Sequence, residues 1–156
     1  MELEILFNEA LNAHQTGDLD TAKGIYKQVL AIDPNHAASW MNLGLTYNNL
    51  GSSDKALAAL NRAKQLTPNH SAVHYNIGNI YMDRGALKPA IAAYRQALRA
   101  NPSFADASNN LGETLIRQGD HSLAIAEFRS GLISNQDHVG LLINLGNAVY
   151  EQGDVV

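Results

Sequence analysis

Cysteine is absent from the 156 residues, which excludes a disulfide framework and thiol chemistry. No apolar stretch is long enough to cross a membrane as a helix. Clustered positive charge is missing too: eleven Lys and Arg lie scattered against fifteen Asp and Glu, for a net charge of -4. Phosphate backbones are bound by grouped cations, so this distribution disfavours nucleic acid as a partner. The opening MELEILFNEA lacks the basic start and long apolar core of a secretory leader. There is no phosphate-binding loop and no G-x-S-x-G. Asp120-His121-Ser122 are consecutive, and consecutive residues cannot point at one another as a Ser-His-Asp relay requires. His70 and His74 have the i, i+4 spacing of a metal pair, but no acid stands between them. These absences predict a soluble, cytoplasmic, non-catalytic protein with no cofactor, no metal and no membrane partner.

What is present is a period. Written in lines of 34 residues starting at Leu3, Ala37, Ser71, Ala105 and Val139, the chain aligns without a gap. The eighth column reads Ala10, Gly44, Gly78, Gly112, Gly146, and the fifteenth Gly17, Gly51, Gly85, Gly119, Gly153. The twentieth reads Ala22, Ala56, Ala90, Ala124, and the thirty-second Pro34, Pro68, Pro102 and then Gln136. Within a line, apolar residues recur at helical spacing, as in Trp40, Leu43, Tyr47 and again Leu57, Leu60, Ala63. Each line therefore predicts two amphipathic helices. The fifteenth-column glycine suits a left-handed cap on the first helix. Polar clusters such as Gly17-Asp18-Leu19-Asp20 and Gly51-Ser52-Ser53-Asp54 suit the N-terminus of the second. The thirty-second-column proline forces the residue before it out of helical geometry and ends that helix. Small residues in columns eight and twenty let the pair approach closely, and His36, His70 and His138 in column thirty-four sit where a helix start is capped. One such pair cannot bury its apolar face alone, so stacked pairs are expected, each touching its neighbours.

Trp40-x2-Leu43-Gly44-x2-Tyr47, then Ala56-x3-Leu60 and Pro68, resemble the tetratricopeptide repeat (TPR). The resemblance implies an all-α, right-handed superhelical solenoid of antiparallel helix pairs. It spans the whole chain, 1–156, as units 3–36, 37–70, 71–104 and 105–138, with a partial unit 139–156. The pattern is departed from at His74 and Ser108 (for the tryptophan), at Leu115 and Val149 (for the tyrosine), at Gly131 (for an alanine) and at Glu9 (for a large apolar residue). Glu9 fits a true N-terminal end. The stretch 139–150 is apolar around much of its circumference, unlike a capping helix, so the chain is expected to be a fragment of a longer protein.

In repeats of this family the first helices line a concave groove, which implies that columns 2, 5, 6, 9, 12 and 13 face it here. Column 6 is asparagine in every line: Asn8, Asn42, Asn76, Asn110 and Asn144. A carboxamide offers one donor group and one acceptor, as a peptide unit does. Packed helices lie roughly 8–10 Å apart, so such a row would meet about every third residue of an extended chain rising ~3.3 Å per residue. The same amides could instead serve only helix packing. Column 5 adds Phe7, Met41, Tyr75 and Asn109 as contact residues, and column 9 adds Asn79, Glu113 and Asn147. The cations with which co-chaperone members clamp a carboxylate are replaced by Phe7, Leu11, Asn42, Ala72 and Asn76, which excludes that function.

The expected partner is therefore a protein or an extended peptide, held by backbone contacts. The alternative is an assembly module, self-associating through the apolar helix over 139–152. The stretch from Phe7 to Gly51 also resembles the opening of bacterial repeat proteins that end in a glycosyltransferase. The repeats of O-linked N-acetylglucosamine transferase present a similar asparagine row, which implies a substrate-recruiting arm, although no catalytic residue of such an enzyme occurs in this chain.

Overall fold

The computed structural model describes residues 2–153, and these contain helices and no strand. They fall into two compact units that divide between Asn69 and His70. The first unit holds α1 (Glu2–Gln15), α2 (Leu19–Ile32), α3 (Ala37–Asn49) and α4 (Ser53–Leu66). The second holds α5 (Ser71–Asp83), α6 (Leu87–Ala100), α7 (Ala105–Gln118), α8 (His121–Ser134) and α9 (Val139–Gly153). This is an all-α fold built of consecutive helix pairs. Every second helix, α2, α4, α6 and α8, starts in the seventeenth column of the period. Residues 154–156 of the partial unit lie outside the described residues.

The turn inside each pair is set by the fifteenth-column glycine. Gly51 has φ +71° and Gly119 φ +95°, a region that side chains with a Cβ enter only at a cost. Around Gly51 the amide of Gly51 donates to Asn48 O at 2.9 Å and that of Ser52 to Tyr47 O at 2.8 Å. Gly119 and Asp120 repeat the pattern onto Ile116 O and Leu115 O. Both are Schellman closures that satisfy the last carbonyls of the first helix. Of the polar clusters after the glycine, Asp18 caps α2 by accepting from the Thr21 amide, whereas Ser52 makes no side-chain cap bond to α4.

Second helices end as the prolines dictate. Asp33, Thr67 and Asn101, each preceding a proline, have φ of -128°, -133° and -143°. Where Gln136 replaces proline, Asn135 still takes φ -138°, and its side-chain amide donates to Gly131 O at 3.1 Å. His36 closes the next helix start: its Nδ1 accepts from the Ser39 amide at 3.2 Å, and His138 does the same for Leu141. His36→Ala should cost about 0.5 kcal/mol, the low end of cap losses, read as a small drop in urea midpoint.

Packing is pairwise and sequential within each unit. In the first, α2 lies against both α1 and α3, and α3 against α4. The core there is Ala10, Ala22, Ile25, Tyr26, Leu30 and Leu43. In the second, α5, α7 and α9 lie side by side, α6 packs on α5 and α7, and α8 packs on α7 and α9. Its core centres on Tyr94, Leu111, Leu115, Phe128 and Leu141. Close approach within a pair depends on column eight. A Cβ built on Gly112 would lie 2.2 Å from Phe128 Cε1, and one on Gly44 2.7 Å from Leu60 Cγ.

Candidate functional site

The first helices of the second unit are joined by a side-chain amide network. From α7, Asn110 Nδ2 donates to Tyr75 Oη at 3.2 Å and to Asn79 Oδ1 at 3.0 Å, both on α5. One repeat later, Asn144 Nδ2 on α9 donates to Asn109 Oδ1 at 2.9 Å and to Glu113 Oε1 at 2.7 Å, both on α7. In both cases the column-six amide bonds columns five and nine of the repeat before it. Asn109 Nδ2 also donates to Glu113 Oε1 at 2.9 Å. Asn79 Oδ1 receives a second bond, from Tyr94 Oη at 2.7 Å.

A carboxamide nitrogen has two protons. In Asn110 and Asn144 both are engaged by the preceding repeat, so a ligand is left the acceptor oxygen, which in Asn110 also takes a long bond from Asn109 Nδ2 at 3.5 Å. Tyr75, Asn79, Asn109, Asn110, Glu113 and Asn144 are half-buried. Asn147, one turn beyond Asn144, is exposed, and with Glu113, Asn144, Arg117 and Glu151 it lines a cleft of about 230 Å3. Tyr75 packs on Phe104, ring centroids 4.9 Å apart, and on Tyr94 at 6.0 Å. Asn76 is half-buried on α5.

The first unit places the same columns differently. Column nine there is Leu11 and Leu45, which offer a column-six amide nothing to bond. Asn8 is exposed, and Asn42 Nδ2 turns back onto Ala38 O of its own helix at 2.9 Å. Phe7 packs on Tyr26 and His36, and Met41 is half-buried. The polar link between α1 and α3 is His14 instead, whose Nδ1 lies 3.3 Å from Thr46 Oγ1 and whose Nε2 lies 3.2 Å from Asn49 Nδ2.

Column twenty-four supplies a contrast that the period did not single out. Tyr94 is fully buried with its hydroxyl bonded to Asn79. Tyr26, its counterpart in the first unit, is equally buried, but its hydroxyl has no hydrogen-bond partner among the described residues. Burial pushes the Tyr26 phenol up to about 12. Burial raises Tyr94 as well, helped by Tyr75, Asp83 and Glu113 nearby. The signal lay in the sequence: tyrosine in column twenty-four faces asparagine in column nine of its own repeat at Tyr94 and leucine at Tyr26.

His70 precedes α5 and His74 is buried one turn on. Among the described residues no group of three or more His, Cys, Asp or Glu gathers as metal ligands, and no helix is long and apolar enough to cross a membrane.

Family profiles described as "Tetratricopeptide repeat" match residues 13–80 and 105–138, and one described as "TPR repeat" matches 78–119. No curated protein matches the chain in sequence. Solved structures do. A crystal structure of MamA protein is 26% identical with a TM-score of 0.85, over 97% of this chain and 82% of that one. The pilF protein of Pseudomonas aeruginosa is 18% identical with a TM-score of 0.88, over 97% and 69%. YrrB, described as "a TPR protein with an unusual peptide-binding site", is 19% identical with a TM-score of 0.77, over 94% and 76%. The last two likenesses are of fold. With the profiles running from residue 13 to residue 138 and the helix pairs in register with them, the chain belongs to the tetratricopeptide-repeat family of protein-interaction scaffolds.

Proposed function

We propose that the first-helix face of the second unit holds an extended polypeptide segment through the asparagines of columns five, six and nine. The observation that supports this most is the committed donor side of Asn110 and Asn144. Both amides are held rigidly by the preceding repeat, and the remaining oxygen is an acceptor for a peptide N–H. Preorganised polar groups lose little entropy when a ligand arrives. Asn76, Asn79, Asn109 and Asn147 extend the polar surface, Glu113 adds a carboxylate, and Tyr75 adds an aromatic contact. In the first unit Asn8, Asn42, Phe7 and Met41 occupy the matching columns and would add contacts without the inter-repeat hold seen at Asn110 and Asn144. Backbone recognition of this type tolerates many sequences, which suits the recruiting arm of a larger enzyme.

One net hydrogen bond is worth roughly 0.5–1.5 kcal/mol, about tenfold in affinity at the upper end. For an extended peptide selected from a displayed library, Asn110→Ala and Asn144→Ala should each weaken binding about five- to tenfold with helicity unchanged. Peptide affinity untouched by both substitutions would refute the proposal.

A second reading is favoured by α9. Val139, Leu142, Ile143, Val149 and Tyr150 are all exposed on it. Covering that face by self-association predicts a dimer in light scattering that Leu142→Glu dissociates. A monomer at all concentrations removes this reading and leaves the first intact.

A further inference from the structure

The first unit carries a groove on a surface other than the asparagine face. The helices α2 and α4 both pack on α3, and between them runs a groove of about 740 Å3. Its floor is Trp40, Leu43 and Tyr47 of α3, with Leu30 and Ala59 beside them. Its rim is cationic: Lys27 from α2, Lys55 and Arg62 from α4, and no carboxylate lines it. In a chain of net charge -4 this concentration runs against the overall sign.

Among the described residues none of the three cations is in an ion pair. The Arg62 guanidinium donates to Asn35 Oδ1 at 3.1 Å and Gln65 Oε1 at 3.2 Å, both uncharged partners. The Lys55 ammonium lies 5.9 Å from the centroid of Tyr47. The indole N–H of Trp40 is held by Pro34 O at 2.9 Å, which fixes the ring in the floor.

The second unit has a smaller counterpart in the same place. Between α6 and α8 the cavity is about 320 Å3, and Asp120 lines it together with Lys88 and Arg95. Ser108 stands in the column of Trp40, Leu115 in that of Tyr47, and Glu127 in that of Ala59. Burial raises the Glu127 carboxyl, and the charge of Arg95, in the column of Lys27, opposes the rise. The second unit thus brings its own carboxylates to its cations and lacks the aromatic floor. The first keeps both the floor and the unmatched charges.

We propose that this groove binds an acidic peptide segment through a bulky apolar anchor flanked by carboxylates. The anchor lies on Trp40 and Tyr47, where apolar area and ring faces are offered together. The carboxylates meet Lys27, Lys55 and Arg62. Lys55 and Arg62 are two helical turns apart, about 10 Å along α4, which matches carboxylates roughly three residues apart in an extended segment. The volume lies within the usual span for binding pockets, roughly 300–1,000 Å3. This site shares no residue with the asparagine face, its lining coming from α2, α4 and the Trp40, Leu43 and Tyr47 side of α3.

Trp40 is the single tryptophan of the chain, so its emission reports on the groove directly. Titration with acetyl-Glu-Asp-Phe-Leu-Asp-Glu-amide should give a saturable change in that emission, weakening as salt rises from about 50 to about 500 mM. The double variant Lys55→Glu/Arg62→Glu should lose at least tenfold in affinity, and Lys55→Gln/Arg62→Gln should lose several-fold with the helical spectrum of the parent. Asn110→Ala should leave this titration unchanged, so the two sites fail or succeed separately. No saturable change overturns the proposal. So does an equal response to the peptide with Lys in place of each acid, unaltered affinity in both double variants when folded, or dodecanoate saturating the groove where the peptide does not.

Discussion

Gly112→Ala should destabilise the second unit by about 2–3 kcal/mol, at the upper end of the cost of overfilling a packed core. Gly146→Ala, the same substitution one repeat later, should stabilise α9 by up to ~1 kcal/mol. The new methyl at Gly112 would lie 2.2 Å from Phe128 Cε1 and 2.5 Å from Cζ. Phe128 is 1% exposed and belongs to the packed core with Leu111, Leu115 and Leu141. At Gly146 nothing lies within 4 Å, so alanine brings only its better helical propensity. Urea unfolding followed by helicity measures both changes. Trp40 emission, a reporter of the first unit, should shift less than the helical signal in Gly112→Ala. Adding Phe128→Leu should recover part of the loss, because Leu60 fills the corresponding place opposite Gly44. Equal urea midpoints for the parent and Gly112→Ala would mean that the pair is not packed through column eight.

Replacing tyrosine by phenylalanine should likewise change sign between repeats. Tyr94→Phe removes the bond to Asn79 Oδ1 and should cost about 1 kcal/mol. Tyr26→Phe removes a buried hydroxyl that has no partner among the described residues and should gain about 1–2 kcal/mol, the penalty of leaving such a group unpaired. Alkaline pH gives an independent test. An unfolded tyrosine ionises near 10, whereas folded Tyr26 holds its proton up to about 12. Its contribution to stability is therefore complete below pH 10 and is lost as pH rises from 10 to 12, because the unfolded state releases its proton first. Tyr94, raised in the same direction, adds to the loss. The parent should be less stable at pH 11 than at pH 9, and Tyr26→Phe should show a smaller fall. Destabilisation by Tyr26→Phe at neutral pH would show that the hydroxyl is paired.

The two contrasts show how far the period carries. Columns eight and twenty are identifiable from sequence as the small positions of the seam, whereas column twenty-four, opposite the column-eight glycine, was not singled out. Which bulky residue meets which glycine, and how tightly, depends on ring placement. The asparagine column was equally visible, and its chemistry as a paired donor and acceptor was open between ligand contact and packing. The bonds from Asn110 and Asn144 to the preceding repeat engage the donors in packing and leave the oxygens. In the first unit, leucine in column nine removes the partner, and Asn42 turns to its own backbone. One residue type in one column thus has two fates, decided by its neighbours a repeat away.

Residue order alone determined the helix boundaries, the left-handed glycine turns and the proline stops, because each depends on backbone torsion and on neighbours within a few positions. It determined the pairing of helices as well, since a strict period brings the same faces together every time. The cationic groove over Trp40 and the orphaned hydroxyl of Tyr26 came only from the tertiary structure. Lys27, Trp40, Lys55 and Arg62 lie on three helices and share no column, and a hydroxyl is stranded only when the atoms around it are all known. Local torsion is written in consecutive residues, whereas charge balance and hydrogen-bond satisfaction belong to the space that packed helices enclose.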